Sequence, residues 1–111
     1  MEGIVEFGDW EKLDLRVGEI LDVEEIEGAD KLWKLTVNIG DEKRVVCAGI
    51  KEFYSADELK GKKCVVFVNL APRKLRGIES QGMILAAVNS DESQVVLLQP
   101  EKDIDVGCRV S

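Results

Sequence analysis

Histidine is missing from all 111 residues of this sequence. Its absence excludes Ser-His-Asp and Cys-His nucleophilic sites, and histidine-based metal sites, within the chain. The three cysteines, Cys47, Cys64 and Cys108, are far apart and show no C-x-x-C spacing. Because they stand in apolar surroundings, we interpret them as buried thiols, and we expect neither a metal site nor a cofactor.

Long apolar runs and a targeting segment are also missing. No apolar run approaches the roughly 18 residues that a membrane span needs, so we expect no membrane partner. Residues 1–6 show neither the basic nor the apolar region of a signal peptide, and we therefore expect a cytoplasmic protein. The chain has no glycine-rich loop of the type that cradles phosphates, and it is too short for an ATP-binding catalytic domain. We therefore expect a non-catalytic protein.

Charge is distributed unevenly along the sequence. The formal net charge is −7, and residues 1–30 hold eleven acidic side chains against two basic ones. The segment 60–76 is the opposite, with six basic side chains and no acidic one: Lys60, Lys62, Lys63, Arg73, Lys74 and Arg76. Such a segment can attract a polyanion locally despite the acidic total. A solvated loop that serves solubility is the alternative that the charge pattern leaves open.

The apolar pattern predicts one domain, 1–111, made mostly of short strands. A short helix is predicted over about 9–13 with Asp9 as its N-cap, and a second over 56–60, where Ser55 and Glu58 match a capping box. The first strand, 15–23, is predicted to bend at a bulge at Gly18. The other predicted strands are 32–39, 43–48, 63–69, 83–88 and one that begins with 95–98.

This order of elements fits an all-β OB-fold, a five-stranded β-barrel with short helices and a C-terminal strand-like extension over about 100–111. A helix between the third and fourth strands is what distinguishes that order. On strand count alone a β-sandwich is the open alternative, because the number of strands does not determine whether the sheet closes.

Four blocks of the sequence carry a family resemblance. The longest is NLAPRKLRGIESQGMILAA at 69–87, and the others are LDLRVG at 13–18, ADKL at 29–32 and ELKGK at 58–62. In this order and at these separations they resemble the tRNA-binding OB domain family. Its members occur at the C-terminus of many methionyl-tRNA synthetases, as free-standing tRNA-binding proteins and as a chaperone-like secretion protein. Many members have His-Pro where this chain has Glu27-Gly28, so a histidine-dependent contact is not expected here.

The resemblance implies that the basic segment lies on a tRNA-binding face. Arginine and lysine side chains there would contact backbone phosphates, which supplies affinity with little sequence reading. Polar side chains would reach sugar hydroxyls or base edges, and a methionine would contact an unstacked base. The predicted tRNA-binding residues are Lys31, Arg44, Asn69, Arg73, Lys74, Arg76, Ser80, Gln81 and Met83. Trp33 and Tyr54 are interpreted as core residues rather than stacking platforms.

The expected function is structure-specific tRNA binding, as the β-subunit or C-terminal domain of a methionyl-tRNA synthetase. The module would raise the affinity of the enzyme for tRNA in trans or in cis, with the catalytic subunit as a partner. The alternative is the chaperone-like branch of the family, which binds unfolded peptides. In relatives the N-terminal helix and the C-terminal end form a homodimer, so we expect residues 9–13 and 100–111 to do so here.

Overall fold

The longest strand, β1 (Leu15–Glu25), organises the barrel in the computed structural model, which describes residues 3–111. The first half of β1 pairs antiparallel with β4 (Lys63–Phe67), and the second half pairs antiparallel with β2 (Trp33–Asn38). The sheet continues from β2 to β3 (Lys43–Ala48) and from β4 to β7 (Met83–Ile84). These five strands curl into a nearly closed barrel, which confirms the predicted all-β OB-fold.

The remaining elements are short and lie around the barrel. Two hairpins stand outside the main sheet, and a last strand pairs with the start of β1. These elements are α1 (Phe7–Glu11), α2 (Ala56–Leu59), β5 (Arg73–Leu75), β6 (Ile78–Ser80), β8 (Ala86–Val88), β9 (Val95–Leu97) and β10 (Arg109–Val110). Within residues 3–111, neither helix is long and apolar enough to cross a membrane.

The bend in β1 differs from the prediction. The register between β1 and β2 shifts at Leu21, between Ile20 and Asp22, and not at Gly18. Gly18 is a point of close approach, because a Cβ there would lie 2.8 Å from the Cγ atoms of both Val37 and Val66. The glycine is therefore required by the packing of β2 and β4 against β1, while the extra residue that forms the bulge follows three positions later.

The barrel interior is filled by branched aliphatic side chains of all five strands and by Leu59 of α2. The largest fully buried residues are Ile20, Leu35, Ile39, Leu59, Val37, Val46, Val66 and Cys64. A separate small cluster, here called the second core, lies outside the main one. It consists of buried Ile26, Ala29 and Cys47, with half-buried Leu32, Leu75 and Ile78 packed against them.

The two helices were predicted with unequal success. The capping box of α2 is confirmed, because Glu58 N donates to Ser55 Oγ at 3.2 Å and Ser55 N donates to Glu58 Oε1 at 2.9 Å. The predicted N-cap of α1 is wrong. The helix begins at Phe7 after Glu6, whose side chain makes no capping bond in the described chain, and Asp9 lies inside the first turn. There the Asp9 carboxylate faces Lys12 at 3.2 Å, one turn along the helix.

Some strand boundaries also differ from the prediction. The predicted strand 83–88 is two strands, because β7 pairs with β4 whereas β8 leaves the barrel to pair with β9. The predicted strand 63–69 ends at Phe67, and the hairpin of β5 and β6 was not predicted as strands. The strand 43–48 is confirmed at both ends.

The C-terminal extension is held against the barrel along its length. Gly107 crosses Gly40 of the β2–β3 turn so closely that a Cβ on Gly40 would lie 2.8 Å from the Gly107 Cα. Val17 N donates to the Cys108 carbonyl at 2.9 Å, and Arg109 Nη2 donates to the Leu13 carbonyl at 2.9 Å. The N-terminal helix and the C-terminal strand therefore lie together at one end of the barrel.

Candidate nucleic-acid interface

Residues 73–80 form a hairpin, here called the cationic hairpin, on the outer face of β3. Its two-residue turn is Arg76-Gly77, with φ of 52° and 81°, as in a type I′ turn. Leu75 and Ile78 pair with each other and pack into the second core. This packing fixes the hairpin on the barrel and leaves its basic side chains at the surface.

Three cations of the hairpin point into solvent. Arg73, Lys74 and Arg76 are exposed, and within residues 3–111 none of them forms an ion pair or a side-chain hydrogen bond. Glu79 stands opposite Lys74 in the register but forms no ion pair with it in the described chain. Uncommitted guanidinium and ammonium groups are suited to contact phosphate oxygens.

The loop that joins β1 to β2 brings a fourth cation to the hairpin turn. Lys31 is exposed on this loop, here called the 26–32 loop, and Lys51 N donates to its carbonyl at 3.2 Å. Residues 28–32 and Arg76 line a cavity of about 200 Å³ between loop and turn. Loops at this position of the barrel bind oligonucleotides in other OB-folds. The structure thus brings Lys31 and Arg76 together, although 45 positions separate them in the sequence.

Ser80 and Gln81 connect the cationic hairpin to β3 where the barrel is open. Ser80 is 4% exposed, and its Oγ accepts from Cys47 N at 3.0 Å and donates to the Gly82 carbonyl at 3.1 Å. Gln81 N donates to the Val45 carbonyl at 2.8 Å, and Gln81 Oε1 accepts from Val45 N at 3.1 Å. These bonds take the place of a strand ladder between β3 and the segment before β7. The Ser80 hydroxyl is consequently inaccessible to RNA, while the exposed Gln81 keeps its Nε2 at the surface.

Arg44 and Asn69 hold segments that precede or follow the cationic hairpin. Arg44 donates through Nη1 to the Val68 carbonyl, where the chain leaves β4, and through Nε to Glu42. Asn69 Oδ1 accepts from Asp14 N at 2.8 Å, and Asn69 Nδ2 donates to the Lys12 carbonyl at 2.7 Å. Both side chains are thus engaged by the fold itself, and their predicted contact with tRNA stays a prediction.

The basic segment seen in the sequence divides in the structure. Lys60 lies 3.6 Å from Asp22, and Lys63 lies 2.7 Å from Asp103 and also donates to the Ile104 carbonyl. The hydrogen bond with Asp103 raises the pKa of Lys63, and the same bond lowers the pKa of Asp103. Acidic groups thus pair with Lys60 and Lys63, whereas Lys62 and the three cations of the cationic hairpin form no ion pair within residues 3–111.

The other candidate residues have clear positions. Met83 is 42% exposed on β7, and its predicted contact with tRNA stays a prediction. Trp33 is buried and donates from Nε1 to the Tyr54 carbonyl at 2.8 Å, and Leu97 N donates to the Tyr54 hydroxyl at 3.2 Å. Their interpretation as core residues is confirmed.

The cysteines divide into two classes. Cys47 and Cys64 are buried, as expected, whereas Cys108 is half-buried. Burial raises the pKa of Cys64 to about 12, and burial also raises the pKa of Cys47. Both thiols are therefore protonated at neutral pH and poor nucleophiles. In the part of the chain that the structure describes, no cluster of three metal-ligating side chains occurs.

Residues 15–109 match the family model described as a putative tRNA binding domain. The chain belongs to this family. The match covers the whole barrel, the cationic hairpin and most of the C-terminal extension, so the domain as a whole carries the family relationship.

Sequence relatives of the domain are methionine–tRNA ligases. The enzyme of Thermococcus onnurineus is 50% identical over 106 residues, which cover 96% of this chain and 14% of that protein. The enzyme of Caldanaerobacter subterraneus is 50% identical over 103 residues, which cover 93% of this chain and 16% of that protein. The domain therefore spans about one-sixth of the length of these relatives, and it is homologous to their tRNA-binding region and not to a catalytic part.

Two solved structures resemble the domain over nearly its full length. A protein related to methionyl-tRNA synthetase from Pyrococcus horikoshii has a TM-score of 0.92 and 36% identity, covering 98% of this chain and 99% of that one. The chaperone CsaA from Bacillus anthracis has a TM-score of 0.89 and 29% identity, covering 98% of this chain and 100% of that one. Both likenesses include the cationic hairpin and the C-terminal extension.

Proposed function

We propose that this chain is a structure-specific tRNA-binding module that serves a methionyl-tRNA synthetase, either as a separate subunit or as its C-terminal domain. The observation that carries the proposal is the cationic hairpin, whose three cations are uncommitted and held on a fixed support. Homology to the tRNA-binding region of methionine–tRNA ligases supports the choice of enzyme. A role beside that enzyme would place the domain in the cytoplasm.

The binding mode follows from the shape and composition of the face. Aromatic residues make up 5% of the chain, and Trp33 lies in the core, so stacking on successive bases is not the main contribution. A preformed array of cations is instead suited to contact the phosphate backbone of a folded RNA. We infer that the module recognises the shape of tRNA and binds many tRNAs alike, raising the local tRNA concentration near the active site.

The test compares tRNA affinity of two triple variants across a salt series. Replacing Arg73, Lys74 and Arg76 by alanine is expected to weaken binding at least about tenfold and to flatten the slope of log K against log salt by about 2–3, one phosphate per cation. The matched control replaces Lys60, Lys62 and Lys102, which changes the net charge equally but leaves the hairpin intact. Equal losses in both variants would assign the effect to net charge and reject the hairpin as the binding site.

A homodimer formed through the ends of the chain is part of the proposal. Ile4 is 87% exposed, Val5 68% and Phe7 71%, and α1 and β10 flank a cavity of about 310 Å³ lined by Phe7, Trp10 and neighbouring residues. Burying such a surface against a second copy would remove apolar area from water and present two cationic hairpins to one tRNA. We expect Phe7→Glu to convert the dimer to monomer in sedimentation experiments, whereas Val96→Glu, an exposed apolar residue on β9, should not.

Peptide binding is the second candidate function, and the likeness to the chaperone CsaA favours it. The two candidates predict different responses to the triple alanine variant of the hairpin. If the module is a tRNA binder, the variant loses its affinity for tRNA. If the module is a peptide binder, the variant protects an unfolded apolar polypeptide from aggregation as well as the wild type does. In that case the wild type also shows no preference for tRNA over duplex DNA.

A further inference from the structure

The cavity between the turn of the cationic hairpin and the 26–32 loop has features of a ligand site. Its volume is about 200 Å³, and it is lined by residues 28–32 on one side and by Arg76 on the other. A cavity of this volume offers more space than a single phosphate group requires.

The walls of the cavity are fixed by the fold. Leu75 and Ile78 of the hairpin, and Leu32 of the loop, pack against the same buried cluster of Ile26, Ala29 and Cys47 in the second core. The loop is held by two backbone hydrogen bonds, from the amide of residue 29 to the carbonyl of residue 26 at 3.0 Å and from the amide of residue 51 to the carbonyl of residue 31 at 3.2 Å. A ligand would therefore enter a preformed site and would not have to order the loop first.

Arg76 is an unusual residue for its position. The first central residue of a type I′ turn has positive φ, which Asn, Asp and Gly adopt more readily than a long side chain does. Arg76 adopts φ 52° there. A positive φ is unfavourable for arginine, and here it places the guanidinium group beside the cavity. Residues with unfavourable backbone conformations of this kind often occur at binding sites.

The lining favours a nucleobase over a phosphate group. Asp30 lines the cavity, and its carboxylate would repel a phosphate but can accept from the exocyclic amino group of a base. Leu32 and Ala29 supply an apolar wall. The planar guanidinium of Arg76 can stack on a base, whereas Lys31 is placed to reach the phosphate of the same nucleotide.

We propose that this cavity is a subsite for one unpaired nucleotide of the bound RNA, with Arg76 stacking on the base, Asp30 accepting from its amino group and Lys31 contacting its phosphate. The proposal rests on the proposed tRNA-binding function and adds a local preference for an unpaired base. In this subsite Arg76 contributes stacking of its guanidinium plane on the base, in addition to its positive charge.

The test measures the binding of a hairpin RNA with an unpaired loop and of a blunt RNA duplex with the same number of phosphates. Arg76→Lys keeps the positive charge but removes the planar guanidinium group that would stack on the base. We expect this variant to weaken binding of the loop RNA about tenfold, which is within the range measured for base stacking. Binding of the duplex should weaken less than about twofold. Lys74→Ala, on the same hairpin but outside the cavity, is the control and should weaken both RNAs alike. Asp30→Asn should lower the preference for loops rich in bases with an exocyclic amino group, which are adenine, cytosine and guanine, over loops rich in uracil.

Arg76→Asn provides a second readout that a structural role would not produce. Asn adopts positive φ more readily, so this variant is expected to melt at a higher temperature than the wild type while binding the loop RNA about tenfold more weakly. If Arg76→Lys binds the loop RNA as the wild type does, or if both RNAs are affected equally, the nucleotide subsite is refuted and Arg76 is a phosphate contact only. If the wild type binds neither RNA more tightly than DNA of equal charge, the proposed function itself fails.

Discussion

Ser80→Ala is the sharpest test of how the cationic hairpin is held. Ser80 is 4% exposed and Cys47 is 8% exposed, and the Ser80 hydroxyl accepts a hydrogen bond from the Cys47 amide. Alanine removes the acceptor, and no water-exposed route replaces it, so the Cys47 amide is left buried without a partner. Such a group costs about 1–3 kcal/mol. This is a large fraction of the roughly 5–15 kcal/mol that stabilises a domain, and it corresponds to a fall in Tm of about 4–12 °C.

The assay is urea unfolding followed by tryptophan fluorescence, with Ser90→Ala as the control. Ser90 is exposed in the turn between β8 and β9, and its replacement should change the stability by less than about 0.5 kcal/mol. The midpoint for Ser80→Ala should fall while the m-value stays the same. If Ser80→Ala and Ser90→Ala unfold at the same urea concentration, the buried hydroxyl does not hold the hairpin.

The same variant should also affect tRNA binding, although its hydroxyl is inaccessible. Ser80 stands opposite Arg73 in the hairpin register, so a shift of β6 on β3 displaces the first cation of the hairpin. We expect weaker tRNA binding at temperatures well below Tm, and we expect the effects of Ser80→Ala and Arg73→Ala to be non-additive. Strict additivity would show that Ser80 does not act through Arg73.

Three further predictions follow from contacts in the barrel. Gly18→Ala should destabilise the fold by about 1–3 kcal/mol in urea unfolding, because the new methyl group would lie 2.8 Å from the side chains of Val37 and Val66, both of which are fully buried. A hydrogen bond from Arg16 lowers the pKa of Asp14 in the folded protein. The Asp14 carboxylate therefore contributes stability above its unfolded pKa near 3.8, and this contribution is lost as the pH falls through the lower folded pKa. In unfolding measured across pH, Asp14→Asn should reduce stability by about 1 kcal/mol or less at about pH 7 and by much less at about pH 2. The Cys64 thiol, with its pKa raised to about 12 by burial, should not react with a thiol reagent at about pH 8 until the protein is unfolded, and rapid labelling in the native state would contradict its burial.

Local signals in the sequence were sufficient for most of the barrel. The strand 43–48 and the capping box at Ser55 were predicted correctly, because alternation and capping depend on neighbours within a few residues. The strand 83–88 was predicted as one because its apolar run is continuous. The change of partner after Ile84, from β4 to β9, is a feature of the tertiary pairing and is not visible in the run itself.

The binding face was predicted only in part, because its organisation depends on contacts between distant residues. The bond between Ser80 and Cys47 spans 33 positions, so the sequence shows a polar residue in a motif but not its buried partner. The ion pairs that neutralise Lys60 and Lys63 likewise involve acidic residues about 40 positions away. Gly77, between Leu75 and Ile78, is a residue typical of a two-residue hairpin turn. The residue before it, however, is arginine and not the asparagine or aspartate that usually precedes glycine in such turns.

The separation of the second core from the barrel interior has a consequence for motion. The cationic hairpin is held by a few half-buried side chains and by the bonds of Ser80 and Gln81, whereas the barrel strands share the main core. We therefore expect the hairpin to open locally more often than the barrel unfolds, so the amides of Val45 and Cys47 should exchange with solvent before those of β1 and β2. A ligand that binds both the closed hairpin and the 26–32 loop would slow this exchange, because it binds only the closed form.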